Sequence, residues 1–479
     1  MKKKSSNPIF SLRVFLGLLI VLTEVVFVDY FASAAMEFVL SSAMVTVALL
    51  IQLRFGLRED AGTPADIVVF IFDWLFLDWA PKVQLLSMPQ QLVNTSSVTI
   101  GTVAITNLLC ALFIVTFTGA YHFLSNRSRA PRAREAEAQA SPAPFTAGAI
   151  GITLFICVAV VGLAAPHAYK TADAVTQSSP VTLIVGRYLL FIPSAALLIL
   201  LNETIRGGRK WVFSRICAVS LLVVLVLISE NPYTEKRNAL GPIYIGMILT
   251  LFAGWFAGRT RRLALLVLSM IVIFPVSSIF THNRDEPLSS LTASRFWDEI
   301  ELHYFSVNYD SWANIYTCVE IVKVHSLQWG HQLLGSLLFF VPSSLWTDKP
   351  LATGIFIADY LIANYSMWFT NLSAPLIGEG YLDFGYAGVV VYAGILAVFV
   401  MLLNKLALRR DKWLTFPMAI YASVFLMIVL RGSLMIALGF ASAAFLAFCT
   451  ASALLSMKAG VRHRHSTARH MSARASVAS

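Results

Sequence analysis

Charge is scarce in this chain. Asp, Glu, Lys and Arg make up 13% of its 479 residues, against 57% hydrophobic. With a mean hydropathy of +0.73, that excludes a soluble multidomain protein, in which about a quarter of residues are charged. Cysteine is scarce as well. Cys110, Cys157, Cys217 and Cys449 fall inside apolar runs and only Cys318 lies in a polar stretch, so no disulfide framework is available. No Cys-x-x-Cys pair or Asp-x-Asp motif occurs and no His cluster suggests a ligand set, so neither metal nor cofactor is expected. No small-residue cleavage site follows the apolar run after Met1-Lys-Lys-Lys, and the reading is an uncleaved anchor. An internal repeat is also missing, which counts against transporters built from inverted halves.

What the chain has instead is long apolar runs. They lie near residues 14–33, 36–53, 64–80, 98–121, 147–165, 181–201, 212–229, 239–258, 263–281, 386–403, 413–430 and 434–456. Each is long enough, or nearly so, to cross a bilayer as a helix. The expected fold class is therefore all-α: a polytopic integral membrane protein of about 12 transmembrane helices with one large extracytoplasmic loop containing short helices. The run at 64–80 is the weakest, because it is short and carries Asp73 and Asp78; an interfacial position is its alternative. Charge arbitrates. With that run counted as a span, the basic loops fall on one side: Lys2–Lys4, Arg54/Arg58, Arg127–Arg134, Arg206–Lys210, Arg259–Arg262, Arg409–Lys412 and the tail from Lys458. They hold 23 of the 36 Lys and Arg residues, the positive-inside pattern. Both termini are then cytoplasmic. The same clustering in short loops argues against nucleic acid as the partner of a chain with formal charge +10.

Four regions follow: helices with short loops over 1–281, a long polar loop over 282–385, three more helices over 386–456, and a basic, disordered tail over 457–479. The linker His122–Pro144, rich in Ala, Arg, Glu, Ser and Pro, reads as flexible. The loop carries 4 Lys/Arg against 11 Asp/Glu, net −7, inside a basic protein. So acidic a segment belongs on the other side of the membrane from the basic loops, and it is the working face. Within it Ser289–Val324 reads as mainly helical, with Phe296, Ile300, Phe305 and Tyr309, then Trp312, Ile315, Val319 and Val322, at helical spacing. The apolar run 333–342 is too short to span and is expected to be re-entrant or interfacial.

Val341-Pro-Ser-Ser-Leu-Trp-Thr-Asp-Lys-Pro350, followed by Gly378-Glu-Gly-Tyr-Leu-Asp-Phe-Gly385 before a span, resembles the bacterial O-antigen polymerases, the Wzy-type oligosaccharide repeat-unit polymerases. So does an arginine at a span entry, as in Lys236-Arg-Asn-Ala-Leu-Gly-Pro242. The resemblance covers about residues 210–405; position 248 is Ile, so an arginine-x10-glycine pattern beginning at Arg237 does not stand. The resemblance implies an inner-membrane glycosyltransferase-type enzyme. It would join undecaprenyl-diphosphate-linked oligosaccharides into a surface polysaccharide at the periplasmic face, with membrane lipids and a chain-length regulator protein as partners. A ligase that hands the same donor to a lipid A core is the neighbouring expectation, and a flippase or exporter of lipid-linked glycan is the expectation from another class.

Such chemistry needs cations against the leaving diphosphate, a base for the acceptor hydroxyl and a surface for sugars. Arg237, Arg284, Arg187 and Arg431 lie near outer span ends or in the loop, against the positive-inside trend, and are the candidate diphosphate contacts; the bland reading is ion pairing with the acidic loop. Candidate catalytic residues are Glu379, held between two glycines, Asp383, and the i,i+4 pair Glu299 and His303, which share a helix face. For most loop acids, solvation is the bland alternative. Trp346, Tyr381 and Lys349 are the candidate glycan contacts, with packing and interface anchoring as the alternative. Intramembrane Glu24, Asp73 and Asp78 need partners; a polar cavity or Arg187 would supply them.

Overall fold

A polar rod runs through the middle of an apolar bundle. The computed structural model describes residues 8–31, 35–58, 61–88, 91–95, 97–127, 145–168, 180–206, 212–232, 237–282, 292–370, 372–407 and 412–457. Among them no strand occurs. Seven helices are long and apolar enough to cross a membrane: Met36–Phe55, Ile100–Arg127, Val185–Ile205, Arg259–Ile279, Leu376–Ala407, Trp413–Arg431 and Leu434–Leu455. Three shorter apolar helices, Ala147–Leu163, Phe213–Ser229 and Ala239–Leu251, accompany them. The chain is thus a helical protein of multi-pass membrane type. In chain order the first helices are α1 (Pro8–Tyr30), α2 (Met36–Phe55), α3 (Ala65–Trp74), α4 (Ala80–Ser87) and α5 (Ile100–Arg127). Helix α5 runs to Arg127, so His122–Arg127 is helical and not linker; 128–144 and the tail from 458 lie outside the described residues.

α3 and α4 form one rod, joined by a π-helical turn at Leu75–Trp79. Asp66, Ile67, Val68, Val69, Phe70, Ile71, Phe72, Asp73 and Trp74 are all buried, and so are Asp78, Lys82 and Gln84. An interfacial helix would expose one face. The stretch that looked weakest by hydropathy is therefore interior, and its polar residues are what made it look weak. Each has a partner on a neighbouring element. Asp66 takes a charged hydrogen bond from Arg259, whose Nη1 also donates to the Thr63 carbonyl at 2.9 Å. Asp73 accepts from Gln52 Nε2 at 2.7 Å. Lys82 pairs with Asp78 one turn back and with Glu24 at 2.6 Å, while Ser42 and Thr46 hydroxyls donate to Glu24 at 2.9 Å. Of the intramembrane carboxylates, Glu24 and Asp78 are thus answered by Lys82 and Asp73 by Gln52. Arg187 instead lies 3.9 Å from Glu230.

Around the rod, α2 packs on α5, and α5 on a long helix near the C-terminus. The remaining elements are α6 (Ala147–Ala168), α7 (Pro180–Arg206), α8 (Phe213–Ser229), α9 (Arg237–Leu251), α10 (Arg259–Leu268), a second π turn at Ser269–Ile273, and α11 (Phe274–His282). Four short helices of the polar loop follow: α12 (Ala293–Tyr304), α13 (Ser311–His325), α14 (His331–Leu337) and α15 (Thr353–Tyr365). The chain closes with α16 (Leu376–Ala407), α17 (Lys412–Arg431) and α18 (Leu434–Leu455). Pro193, Pro242 and Pro417 sit inside α7, α9 and α17, as membrane helices tolerate.

α16 bends at Phe384–Gly385, where Gly385 has φ +62°, a conformation an L side chain resists. Across the bend a Cβ on Gly388 would meet the Gly380 carbonyl oxygen, so that close approach requires glycine. The glycines flanking Glu379 therefore serve contacts of the chain with itself: a Cβ on Gly378 would meet Cys318 Sγ.

The Lys82 pair generates a stability test. Lys82→Ala would strand two buried carboxylates and is expected to destabilise the fold by about 3–5 kcal/mol. Neutralising Glu24 and Asp78 as well should restore most of that loss. Thermal unfolding in one detergent reads both variants; a triple variant as weak as Lys82→Ala would show that packing, not charge, dominates here.

Candidate active site

The loop does not hang in water. α13 is buried from Ser311 to Val319, as a core helix is. Polar side chains seat it: Trp312 Nε1 donates to Asn107 Oδ1 at 3.0 Å, Asn94 Nδ2 to Asn314 Oδ1 at 2.6 Å, and the Thr99 amide to the Tyr316 hydroxyl at 3.0 Å. Gln84, at the end of the rod, donates to the carbonyls of Tyr304 and Tyr309 at 3.2 and 3.3 Å, and so holds the turn between α12 and α13.

Arg431, the last residue of α17, reaches that same turn. Its Nη2 donates to the Val307 carbonyl at 2.9 Å and to Asp310 Oδ1 at 3.3 Å, and the guanidinium lies 5.8 Å from the centre of the Phe76 ring. Asp310 Oδ1 also accepts from Ser373 Oγ at 2.7 Å, and its Oδ2 from Asn314 Nδ2 at 2.9 Å. The guanidinium Nε is buried with no hydrogen-bond partner among the described residues. Two residues on, Glu379 Oε1 accepts from Ser433 Oγ at 3.2 Å and from the Leu434 amide at 3.0 Å. Leu434 opens α18, so the carboxylate answers one of the free amides and the positive end of that helix. The turn 431–434 thus joins a cation and a carboxylate that the sequence sets apart.

Asp383 makes the same kind of contact elsewhere. It accepts from the Gln332 and Leu333 amides at 3.1 and 2.9 Å, at the start of α14, and from the Tyr392 hydroxyl at 3.3 Å. Thr353 connects the two carboxylates: its hydroxyl donates to Gln332 Oε1 at 3.3 Å and its amide to Ser433 Oγ at 3.2 Å. Glu379 and Asp383 are both buried.

The remaining candidates scatter. His303 is buried at the end of α12, edge-on to Phe274 and Tyr309, with Nδ1 3.0 Å from Asn308 Nδ2. With the amide donating, Nδ1 is the acceptor of that bond. Glu299 is half-buried on the same helix. Arg187 lies beside Glu230 and 5.6 Å from the Phe440 ring centre, and shares none of these contacts with Arg431. Arg284 lies outside the described residues, and Arg237 opens α9 with a side chain that also lies outside them. Tyr381 is buried edge-on to Tyr386, a core position. Lys349 donates to the Phe339 and Val341 carbonyls at 2.8 Å each, closing the segment after α14. Trp346 is half-buried against His331. Among the loop's aromatic residues, Trp297, Trp329 and Trp368 are the exposed tryptophans.

One group was not singled out by sequence. Glu320, half-buried on α13, accepts from the Tyr365 hydroxyl at 3.1 and 3.0 Å, and burial pushes its carboxyl above the ordinary range. Tyr365 is raised to about 12, first by burial and then by that carboxylate. Glu320 stands three turns along α13 from Asp310, about 15 Å away. Its only sequence signal is the i,i+3 neighbour Lys323; the tyrosine arrives from 45 residues on.

The capping geometry has a measurable consequence. Glu379→Gln retains an oxygen for Ser433 and Leu434, so its stability should stay within about 1 kcal/mol of the parent, whereas Glu379→Ala strands a buried amide and should cost about 1–3 kcal/mol. Unfolding midpoints of the two variants check this; equal losses would mean that charge, not the cap, holds the turn. Compared with family models, curated proteins and solved structures, the chain matches none.

Proposed function

We propose that this chain is a membrane glycan polymerase, one that transfers a growing oligosaccharide from a polyprenyl diphosphate onto the next lipid-linked repeat unit. The observation that carries the reading is the turn 431–434, with Arg431 on Asp310 at one end and Glu379 on the Leu434 amide at the other, between two apolar helices and against an acidic loop. In this reading about twelve helices cross the bacterial inner membrane, both termini are cytoplasmic, and residues 282–385 work at the periplasmic face.

The transfer breaks the bond between the donor's anomeric carbon and its diphosphate oxygen and forms one to the acceptor hydroxyl oxygen. Charge develops on the departing diphosphate, where a guanidinium is worth more than in water because the surroundings are apolar. Arg431 already spends one nitrogen on Asp310, so a phosphate oxygen would be met by the rest of its planar fork. The acceptor proton goes to Glu379, whose oxygens lie beside the same turn. Glu320 and its tyrosines, about 15 Å along α13, are placed to hold sugars farther from the bond that changes.

Deleting the gene and sizing the surface polysaccharide tests the class: a single repeat unit on the surface is expected, while free lipid-linked polymer would indicate a ligase and total loss of glycan a flippase. Arg431→Lys keeps the charge but not the fork, and should lower polymer yield about tenfold or more at matched protein level. Glu379→Gln should abolish polymer while preserving the fold. Full activity in both would remove this turn from the chemistry. Reporter fusions near Asp310 and Arg132 should report opposite sides of the membrane, and agreement between them would overturn the orientation.

A further inference from the structure

A cavity of about 350 Å³ opens between α1, the buried rod, the π turn before α11, and the loop helix α12. Leu19, Trp74, Trp79, Ile271, Tyr304 and Tyr309 give it an almost entirely apolar wall, and Glu301 is its one charged lining residue. The walls continue into exposed apolar surface. Leu18 and Leu22 flank Leu19 on α1, and Val272 and Ile273 follow Ile271. On helices of a multi-pass membrane protein such residues face hydrocarbon, so the cavity's mouth opens to the bilayer and not to water.

α12 forms the lid. It is fixed by the Tyr304 hydroxyl, which donates to the Ile271 carbonyl at 2.7 Å. Its exposed residues are Trp297 and Leu302, together with the carboxylates of Asp298 and Glu301, while Glu299 is half-buried. Those charges require water or headgroups, and tryptophan favours the same depth, so α12 lies at the polar boundary of the bilayer. A chain in the cavity would place its head beside Glu301. Three acids against one arginine on α12 make that rim negative, which repels phosphate-only heads and attracts an ammonium.

We propose that this cavity takes one acyl chain of a bilayer lipid whose headgroup carries a primary ammonium, with the ammonium on Glu301. The site is distinct from the 431–434 turn: the Phe76–Tyr309 stack, ring centres 4.9 Å apart, separates them, with Tyr309 lining the cavity and Arg431 over Phe76. The inference holds whether or not the protein polymerises glycans. The bound chain buttresses Tyr304 and Tyr309, and through them the turn that holds Arg431.

The test uses the full chain purified in detergent, with phosphatidylethanolamine bearing a photoreactive diazirine at the end of one acyl chain. After irradiation, labelled peptides are mapped. Labelling of Trp79 and Val83 is expected, on a rod otherwise buried from lipid, and phosphatidylglycerol carrying the same diazirine should label them about threefold less. Glu301→Gln should erase that preference, and Ile271→Trp, which fills the cavity, should remove the labelling of the rod. Labels confined to outward residues such as Leu18 and Val272 would overturn the site. Equal labelling by the two lipids would overturn the ammonium. Displacement by equimolar polyprenyl phosphate would overturn the occupant. The parent protein with the three lipids decides all of this even where a variant fails to fold.

Discussion

The buried ammonium of Lys82 is the interaction on which the bundle depends. A rod with Asp66, Asp73 and Asp78 in its interior cannot be enclosed by apolar helices unless each carboxylate meets a donor. Each does, and the donors come from different places: Arg259 at the start of α10, Gln52 on α2, and Lys82 on the rod itself, with Glu24 and Thr46 drawn in from α1 and α2. Apolar packing alone would let these helices rotate or slide against the rod with little penalty. Three polar contacts at three depths fix both. A pair of this kind adds little net stability over a well-packed apolar substitute, but breaking it on one side is severe, and that asymmetry is what sets the register.

The same logic governs the outer end. α14 and α18 begin with free amides, and Asp383 and Glu379, both buried, supply acceptors to them. Because both carboxylates belong to one short stretch before the bend of α16, that stretch locks α14 and α18 to each other. The Gly380–Gly388 contact and the positive φ of Gly385 make the stretch compact enough to do so. The acidic loop is therefore continuous with the bundle, its Ser311–Val319 segment as enclosed as any span.

How much of this is legible in the sequence differs by kind of signal. Long apolar runs mark helices, and the runs named from hydropathy fall largely on them, because a chain segment without polar groups to offer has to satisfy its own backbone. The run 239–258 leaves its helix at Leu251, and 64–80 and 263–281 each cross a π turn. The count of crossings rests on charge and is not fixed by the helices themselves. The rod at 65–87 was legible as a helix but not as the interior one, since hydropathy penalises the very aspartates that burial pairs. Lys82 gave a signal only in its i,i+4 spacing to Asp78; its contact with Glu24 spans 58 residues of chain and depends on how α1 packs. At the site, the residue types in the Gly378–Gly385 stretch stood out, but their partners did not. Glu379 meets Leu434 and Arg431 meets Asp310 across separations that no local pattern encodes. Tyr381 and Lys349 look like sugar contacts in sequence because aromatic and cationic residues do; one turned inward to the core and the other onto two backbone carbonyls.

On the proposed reading the base is a carboxylate that also caps a helix, and the two tasks are compatible. Glu379 Oε1 already accepts from the Ser433 hydroxyl and the Leu434 amide. A carboxyl that has taken the acceptor's proton still offers a carbonyl oxygen to those two donors, as glutamine would. The cap would then weaken from a charge-assisted bond to a neutral one without being lost. The turn 431–434, and Arg431 with it, would stay in place while the diphosphate leaves the sugar. A base fixed by the helix it caps would need no movement between one transfer and the next.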